Sequence, residues 1–354
     1  MYKRNDTKKI KIADTFIGGG TSIKIQSMCN TKTSDVESTV SQILSLEKEG
    51  CEIVRVSVPD EDSAYAISKI KEKIHIPLVA DIHFDYRLAI LSAKNGIDKI
   101  RINPGNIGDE DNIKKVVDVI KPLHIPIRVG VNSGSVSKKI LEKYNGKVCS
   151  DALVDSAIEN IKLLEKYDFY DTVISIKASD VNTCIDSYEK FASIYDYPLH
   201  IGITEAGTLW QGNIKSSVGL GILLHEGLGD TIRVSLSTDP VEEIKSAKMI
   251  LKTLSLREGI EIVSCPTCAR TNIDIVKISK KVEEVLYSDK ELSKKNIKVA
   301  IMGCAVNGPG EAKEADIGIA GGDGEGLIIK KGEIIKKVKE SDIIDTLIQE
   351  IRMM

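Results

Sequence analysis

Short apolar runs alternate with longer amphipathic segments over the first 255 residues of the chain. The short runs occupy residues 22–28, 52–58, 76–82, 99–103, 125–131, 172–178, 199–204 and 231–237. They are rich in Val and Ile, which favour β-strands. In the first amphipathic segment, Val36, Val40 and Ile43 fall on one face of an α-helix. That helix is predicted to begin at Ser34, as its N-cap, and to end at Gly50.

Eight strand–helix units in succession, with strands that are apolar on both faces, indicate a parallel sheet covered by helices. Eight such units close a TIM (β/α)8 barrel, whose usual length is about 250 residues. An open doubly wound sheet is the alternative, but that fold usually has a Gly-rich turn after its first strand, and here CNTKTSD follows instead. We therefore expect a TIM barrel over residues 1–255.

The chain changes character after this point. Residues 256–354 are enough for a small domain. They combine a polar helical stretch, a hairpin pattern in GLIIKKGEIIKKV and a final helix in SDIIDTLIQEIRMM. This mixture predicts an α+β domain that follows the barrel.

Composition and charge narrow the functional class. The net charge is −3, so nothing global favours nucleic acid or an anionic membrane as a partner. No apolar run approaches the ~20 residues that cross a bilayer, and the start, MYKRNDTKKIKIADTF, is too charged for a signal peptide. Seven unevenly spaced cysteines indicate reduced thiols or metal ligands. We therefore expect a cytoplasmic enzyme.

Cationic side chains recur where the predicted strands end, which is the active-site face of a barrel. They are Arg55, Arg101, Arg128, Lys177 and Arg233. So many cations around one mouth are costly unless an anion neutralises them, and arginine forks match phosphate oxygens. Taken singly, each would be an ordinary ion-paired residue at the rim. Their recurrence predicts a small substrate that carries a phosphate or diphosphate.

Two carboxylates, Asp81 and Glu205, lie at the ends of the third and seventh predicted strands among these cations. Surrounding positive charge favours their ionised forms. They could transfer protons or hold the arginines in place, and the sequence does not choose between these roles. His83 is the one histidine at a strand end on this face, whereas His200 begins a strand and is expected to be structural.

Three cysteines fall in the second domain. SCPTCAR places Cys265 and Cys268 three positions apart, and Cys304 follows a predicted strand. A structural zinc site usually takes four Cys or His ligands, and no histidine occurs after residue 225. The fourth ligand is therefore either a barrel cysteine, of which Cys29 alone lies at the active face, or the carboxylate of Glu311. Three thiolates with a labile oxygen ligand predict a catalytic iron site.

Several motifs resemble those of one known family. SCPTCAR, MGCAVNGPGEAKEADIGIAGG, VADIHFDYRLA, RINPGNIG, IRVGVNSGS and ITEAGT are similar to motifs of the 4-hydroxy-3-methylbut-2-enyl diphosphate synthases, in their compact bacterial two-domain form. These are iron–sulfur reductases of the methylerythritol phosphate route to isoprenoids. The resemblance implies that two electrons open and dehydroxylate 2-C-methyl-D-erythritol 2,4-cyclodiphosphate to 4-hydroxy-3-methylbut-2-enyl diphosphate. Ferredoxin or flavodoxin would deliver the electrons.

The resemblance also implies roles for individual residues. A 4Fe–4S cluster would be held by Cys265, Cys268, Cys304 and Glu311, which makes 256–354 a cluster domain. The cyclic diphosphate would be bound by Arg55, Arg101, Arg128, Asn132, Lys177, Arg233 and Ser235. The residues beside the reacting carbons and the cluster would be Asp81, Glu205 and Asn307. Glu205 is the expected proton donor to the leaving hydroxyl, with Asp81 as the alternative.

A homodimer with shared sites is a further expectation. The eighth helix of a barrel runs back to the face opposite the active site, and the segment SLREGIEIVS then separates it from Cys265. Fully extended, that segment spans at most ~35 Å. The cluster domain of one chain is therefore expected to cap the barrel of its partner.

Two other functional classes remain open. One is a non-redox barrel enzyme acting on a phosphorylated small molecule, with a structural metal domain attached. The other is a scaffold or metal-sensing module. The count of three thiolates disfavours zinc. Colour would distinguish the classes, because an anaerobically purified iron–sulfur protein is brown and a zinc protein is colourless.

Overall fold

The structure, a computed structural model, describes residues 4–289, 291–304, 310 and 312–354. The chain divides into two compact units, Met1–Leu254 and Ser255–Met354. Each unit has its own sheet and its own hydrophobic core.

The strands of the first unit form a two-stranded hairpin and a closed barrel. They are β1 (Ile10–Ile12), β2 (Thr15–Ile17), β3 (Lys24–Met28), β4 (Ile53–Ser57), β5 (Leu78–Asp81), β6 (Lys99–Ile102), β7 (Ile127–Asn132), β8 (Thr172–Lys177), β9 (His200–Ile201) and β10 (Thr231–Ile232). Eight of them pair in the order β8-β7-β6-β5-β4-β3-β10-β9. A parallel bridge between Ile174 and Leu199 joins the two outer strands. The predicted TIM (β/α)8 barrel is therefore confirmed.

Helices cover the outside of this barrel. They are α1 (Val36–Glu49), α2 (Glu61–Lys71), α3 (Tyr86–Lys94), α4 (Glu110–Ile120), α5 (Lys138–Lys143), α6 (Ser150–Glu165), α7 (Val181–Ala192), α8 (Leu209–His225) and α9 (Pro240–Thr253). Their apolar faces and the outward strand residues form one core. The N-cap of α1 is Asp35 and not Ser34, because the Asp35 carboxylate accepts the N–H of Ser38. The helix ends at Gly50, whose φ of 104° suits a residue without Cβ.

A hairpin of β1 and β2 closes the amino-terminal end of the barrel. Its buried side chains pack with early residues of three barrel strands in a separate apolar cluster of Ile10, Ile12, Ile17, Ile53, Val79 and Val173. Because the amino-terminal ends of parallel strands lie at one end of a barrel, this cluster plugs the lumen there. The sequence analysis did not predict the hairpin, since strands of three residues carry too little periodicity.

The second unit is built on a mixed sheet. Its elements are β11 (Glu261–Ser264), α10 (Ile275–Ser288), β12 (Lys298–Met302), β13 (Ile317–Gly321), β14 (Glu325–Lys330), β15 (Glu333–Lys339) and α11 (Ile343–Arg352). The first three strands pair in parallel and the last three antiparallel. The two helices pack into one core with the sheet. The predicted hairpin and final helix are confirmed. Within the described ranges of both units, no helix is long and apolar enough to cross a membrane.

Candidate active site

Three of the predicted site residues form one ion-paired cluster inside the barrel. Strand alternation places Arg55, Asp81 and Arg101 on the inner side of β4, β5 and β6, while their neighbours pack outward. Asp81 pairs in register with Arg101. Nη1 of Arg101 donates to Oδ1 of Asp81 at 3.0 Å, and Nε of Arg55 lies 3.6 Å from Oδ2. The carboxylate therefore bridges two arginines.

The ionisation of Asp81 follows from its neighbours. Burial of the carboxyl opposes ionisation, but Arg55, His83 and Arg101 together hold the pKa of Asp81 well below its usual range. Nε2 of His83 lies 3.6 Å from Oδ2, and its side chain is half exposed. Burial lowers the pKa of Arg55 to about 10, which leaves it charged at neutral pH. Asp81 is thus an ionised carboxylate that fixes two cations.

Arg128 and Lys177 also lie in the lumen, and among the described residues neither has a carboxylate within salt-bridge distance. Arg128 is 1% exposed, and its Nε and Nη1 have no hydrogen-bond partner among the residues that the structure describes. Burial, followed by the charges of Arg55 and Arg101, lowers the pKa of Arg128 well below its ordinary value. Burial and the charge of Arg128 do the same to the pKa of Lys177. Two buried cations of this kind would strongly stabilise an anion in the lumen.

Arg233, just past β10, is held by a carboxylate of its own. Its Nε and Nη2 each donate to a carboxylate oxygen of Glu243 at 3.2 Å. Glu243 lies on α9, is 3% exposed, and also accepts the hydroxyl of Ser27 at 2.7 Å and the N–H of Leu236 at 3.1 Å. A bidentate pair fixed by two further bonds keeps the guanidinium in one orientation.

The remaining predicted barrel residues follow the strands β7, β9 and β10. The side chain of Asn132 caps the short turn after β7, and the residue pairs in register with Lys177. Ser235 is half-buried beyond the end of β10. Glu205 is exposed, and its φ of 52° lies in the left-handed region. That conformation is uncommon for a residue with a Cβ and clusters at functional sites.

The cysteines of the second unit lie at one edge of its sheet. Cys265 follows β11 directly, and Cys304 comes shortly after β12. These strands pair in parallel, so their carboxyl ends lie side by side. The N–H of Gly303 donates to Sγ of Cys265 at 3.2 Å. Cys268 belongs to the same loop as Cys265, so all three thiols are brought to this edge.

The three thiols differ in their surroundings. Cys304 is buried, Cys265 is half-buried and Cys268 is exposed. Hydrogen bonds from the N–H of Arg270 and the hydroxyl of Thr271 lower the pKa of Cys268, which favours the thiolate that binds metal. Within the described part of the chain, no three His, Cys, Asp or Glu side chains converge closely enough to hold a metal ion.

Two predicted residues, Asn307 and Glu311, lie outside the described residues. Their roles stay predictions. The alternative ligand Cys29 is buried in the barrel, where burial and the neighbouring Cys51 raise its pKa to about 12. A thiol that stays protonated at neutral pH does not favour Cys29 as a metal ligand.

Comparison with known proteins assigns both units. Residues 7–248 match the model of the GcpE TIM-barrel domain, and residues 261–353 match that of the GcpE protein C-terminal domain. A relative from Clostridium perfringens, named 4-hydroxy-3-methylbut-2-en-1-yl diphosphate synthase (flavodoxin), is 60% identical over 98% of this chain and 99% of its own length. A relative of the same name from Clostridium tetani is 59% identical over 99% of each chain.

The chain belongs to the 4-hydroxy-3-methylbut-2-en-1-yl diphosphate synthase family.

The family predicted from the motifs is thus confirmed. Among solved structures, a dihydropteroate synthase from Xanthomonas albilineans in complex with 7,8-dihydropteroate is 13% identical. It covers 70% of this chain and 98% of its own length, with a TM-score of 0.49, a likeness too weak to bear on function.

This member of the synthase family has further lumen residues that the sequence analysis did not single out. Lys99 is fully buried, and its Nζ has no hydrogen-bond partner within the described ranges. Burial, and then the charges of Arg128 and Arg55, lower the pKa of Lys99 well below its ordinary value. The sequence could have predicted that Lys99 faces the lumen, because it stands two positions before Arg101 and alternate residues of a strand face the same side. Met28 also contacts the cluster, through Sδ at 2.8 Å from Nη2 of Arg55.

Proposed function

We propose that this chain catalyses the reductive ring opening and dehydroxylation of 2-C-methyl-D-erythritol 2,4-cyclodiphosphate to 4-hydroxy-3-methylbut-2-enyl diphosphate. The observation that carries the proposal, beside family membership, is the excess of cations inside the barrel. In the described residues, Arg128 and Lys177 have no carboxylate within salt-bridge distance, and Arg55 and Arg101 share Asp81. A diphosphate supplies the missing negative charge, and its oxygens match the arginine forks.

The proposed binding set lies along the inner side of the barrel. Its members are Arg55, Arg101, Arg128, Asn132, Lys177, Arg233 and Ser235. Arg233 is fixed by Glu243 and Arg101 by Asp81, so these guanidinium groups need little rearrangement when the anion arrives. Such a grip on the anionic end fixes the position of the reacting carbon.

Proton transfer to the departing oxygen is assigned to Glu205 in preference to Asp81. Although burial opposes it, Arg55 holds the pKa of Asp81 well below its usual range, so Asp81 carries no proton near neutral pH. Glu205 lies in the segment after β9, with an exposed side chain and a left-handed backbone. Asp81 instead acts beside the reacting carbons by keeping Arg55 and Arg101 in place.

A 4Fe–4S cluster fits the donor chemistry of the second unit. Cys265, Cys268 and Cys304 would hold it, with Glu311 as the fourth ligand implied by the family resemblance and Asn307 beside it. The N–H of Gly303 that donates to Cys265 is the kind of bond that orients and tunes cluster thiolates. The cluster would supply the two electrons and a Lewis-acidic iron for the departing oxygen.

The proposed electron donor is flavodoxin, with ferredoxin as the alternative. Flavodoxin is the donor that the names of the relatives from Clostridium perfringens and Clostridium tetani state. The proposed compartment is the cytoplasm, where such carriers are reduced.

A second copy of the chain is the proposed partner of α8. Large apolar side chains stand exposed along one stripe of this helix: Trp210 (80%), Ile214 (50%), Val218 (49%) and Ile222 (40%). The helix contains no acidic residue and a single lysine. A two-fold axis would bury this stripe against the same stripe of a second copy. With its surroundings, the stripe would bury an area on the order of 1,000 Å², which is the lower limit for a specific interface. We infer a homodimer paired through α8.

In this dimer the second unit of one chain is proposed to cap the barrel of its partner. In a βα barrel α9 returns toward the plugged end, away from Asp81. The helix ends at Thr253 and β11 begins at Glu261. The connection therefore reaches at most ~30 Å when fully extended. A connection of this length is short for a path around the helix layer to the mouth of the same barrel. The mouth of the partner's barrel is therefore the proposed position.

Iron and sulfide analysis of anaerobically purified protein, followed by turnover of the cyclic diphosphate with reduced flavodoxin, tests the proposal. Cys265→Ser removes a proposed ligand. Cys149→Ser is the matched control, because Cys149 precedes α6 in the first unit and makes no side-chain capping bond. We expect Cys265→Ser to lose iron, sulfide and activity, and Cys149→Ser to keep all three. Full iron and sulfide in Cys265→Ser, or an iron-replete wild type without turnover, would overturn the proposal.

A further inference from the structure

Gly130 lies in the middle of β7, on the inner side of the barrel, between Arg128 and Asn132. A Cβ placed on it would lie 2.4 Å from Nε, 2.9 Å from Nη2 and 3.0 Å from Cζ of Arg101. Carbon atoms in contact normally lie about 3.5–4.0 Å apart. The guanidinium group of Arg101 therefore rests against the bare backbone of Gly130, in space that any other residue would fill.

The same backbone also directs the guanidinium. Nη2 of Arg101 lies 3.4 Å from the carbonyl oxygen of Gly130, while Nη1 donates to Asp81 at 3.0 Å. The side chain of Arg101 is only 12% exposed, so it has little freedom to lie elsewhere. Asp81 on one side and Gly130 on the other define its position.

We propose that Gly130 is a positioning residue of the diphosphate site, whose missing side chain lets the Arg101 guanidinium lie where it meets both Asp81 and the substrate. This inference deepens the proposed function and rests on it for the identity of the substrate. An alanine at this position would displace the guanidinium by about 1 Å to restore normal contact distances. A charge-assisted contact to phosphate does not survive such a shift intact.

Gly202, the residue that follows β9, provides a contrast. A Cβ on Gly202 would lie 2.6 Å from Nζ of Lys177, but also 2.5 Å from the backbone oxygen of Arg233. Since a backbone atom cannot move away at small cost, Gly202→Ala is expected to damage the barrel. At Gly130 the three nearest atoms all belong to the flexible side chain of Arg101. Gly130→Ala is therefore expected to preserve the fold, and alanine also restricts the unfolded chain.

A double-mutant cycle of Gly130→Ala and Arg101→Ala tests the proposal. Gly130→Ala is expected to raise KM for the cyclic diphosphate about tenfold or more, with a smaller change in kcat and a smaller fall in Tm than Arg101→Ala shows. In the Arg101→Ala background the same change should alter KM less than about twofold, because the displaced atoms are gone. An unchanged KM in Gly130→Ala, or equal effects in both backgrounds, would overturn the proposal. An unfolded double variant beside a folded Arg101→Ala variant would also overturn it, since Gly130 would then serve the fold itself.

Inorganic pyrophosphate separates this inference from the proposed function. Its dissociation constant, measured by calorimetry across the same four proteins, reports the coupling between Gly130 and Arg101 without any turnover. Coupling in pyrophosphate affinity with no turnover of the cyclic diphosphate would keep the positioning role and reject the proposed reaction. Turnover without coupling would reject the positioning role alone. A wild type that binds no pyrophosphate would overturn both.

Discussion

Replacing Asp81 by asparagine should destabilise the barrel more than it weakens the binding of a diphosphate. The side chain of Asp81 is 4% exposed, and within the described ranges it is the one acidic partner of Arg55 and Arg101. Removing one member of a buried ion pair costs about 3–5 kcal/mol. Asparagine keeps one acceptor oxygen, so we expect the lower end of that range. Each kcal/mol lowers Tm by about 2–4 °C in a unit of this size, which gives a fall of about 6–12 °C.

The pH dependence of Tm provides a second measure of the same interaction. Arg55 and its neighbours hold the folded-state pKa of Asp81 well below that of an unfolded chain, near 3.9. A depressed carboxyl pKa contributes stability that is complete above the unfolded value and is lost as the pH falls toward the folded one. The difference in Tm between wild type and Asp81→Asn should therefore stay constant from about pH 7 to about pH 5 and shrink below about pH 4.

Asp85, whose side chain is 32% exposed, offers the matched control. It pairs with Arg87, whose side chain is 73% exposed, and it caps α3, a role that asparagine fills equally well. Asp85→Asn should change the free energy of unfolding by no more than about 1 kcal/mol. Calorimetry with pyrophosphate completes the experiment, since loss of the Asp81 charge removes repulsion of an anion. Weaker pyrophosphate binding by Asp81→Asn at an unchanged Tm would refute the reasoning, because Asp81 would then contact the anion rather than hold the arginines.

The other predictions concern binding, proton transfer and assembly. Lys177→Ala should weaken binding of the cyclic diphosphate about tenfold or more, since a charge-assisted contact is worth roughly 1.5–3 kcal/mol; normal affinity at normal iron content would contradict this. Glu205→Gln should lower kcat by about 10²–10⁴ with little change in KM in steady-state assays, and full activity would move the proton donor elsewhere. Val218→Asp should yield monomers in sedimentation experiments. Mixed chains of Asp81→Ala and Cys265→Ser should regain activity on subunit exchange, whereas inactive verified heterodimers would mean that each chain completes its own site.

Much of the barrel and of its cationic lumen could be predicted from the sequence. The run predicted as a strand at 52–58 is β4 (Ile53–Ser57). This prediction was accurate because the run is rich in apolar residues and residues that interrupt strands stand close to both of its ends. Arg55, Asp81 and Arg101 meet because parallel strands end on one face of a barrel, so their convergence follows from topology. Gly130 also carried a signal, since a glycine inside a strand often marks a close approach of other atoms.

The partners of the cations could not be predicted in the same way. Glu243 comes from α9, and nothing in its sequence position indicates that it turns inward to hold Arg233. Whether Asp81 donates a proton or fixes arginines depends on distances of a few ångströms, which no periodicity encodes. The N-cap Asp35 was missed by one residue because serine and aspartate cap helices about equally well.

The hairpin of β1 and β2 closes one end of the barrel, so the lumen opens to solvent only at the other end. Its apolar floor of Ile10, Ile12 and Ile17 has a low dielectric constant, so field lines from the buried cations above it cannot spread downward into water. They emerge through the open mouth, which focuses the attraction on anions that approach from that direction. Opening the floor would let solvent screen Lys99 and Arg128 from below. Two short strands that carry no reactive group therefore govern how strongly the enzyme draws an anion from solution.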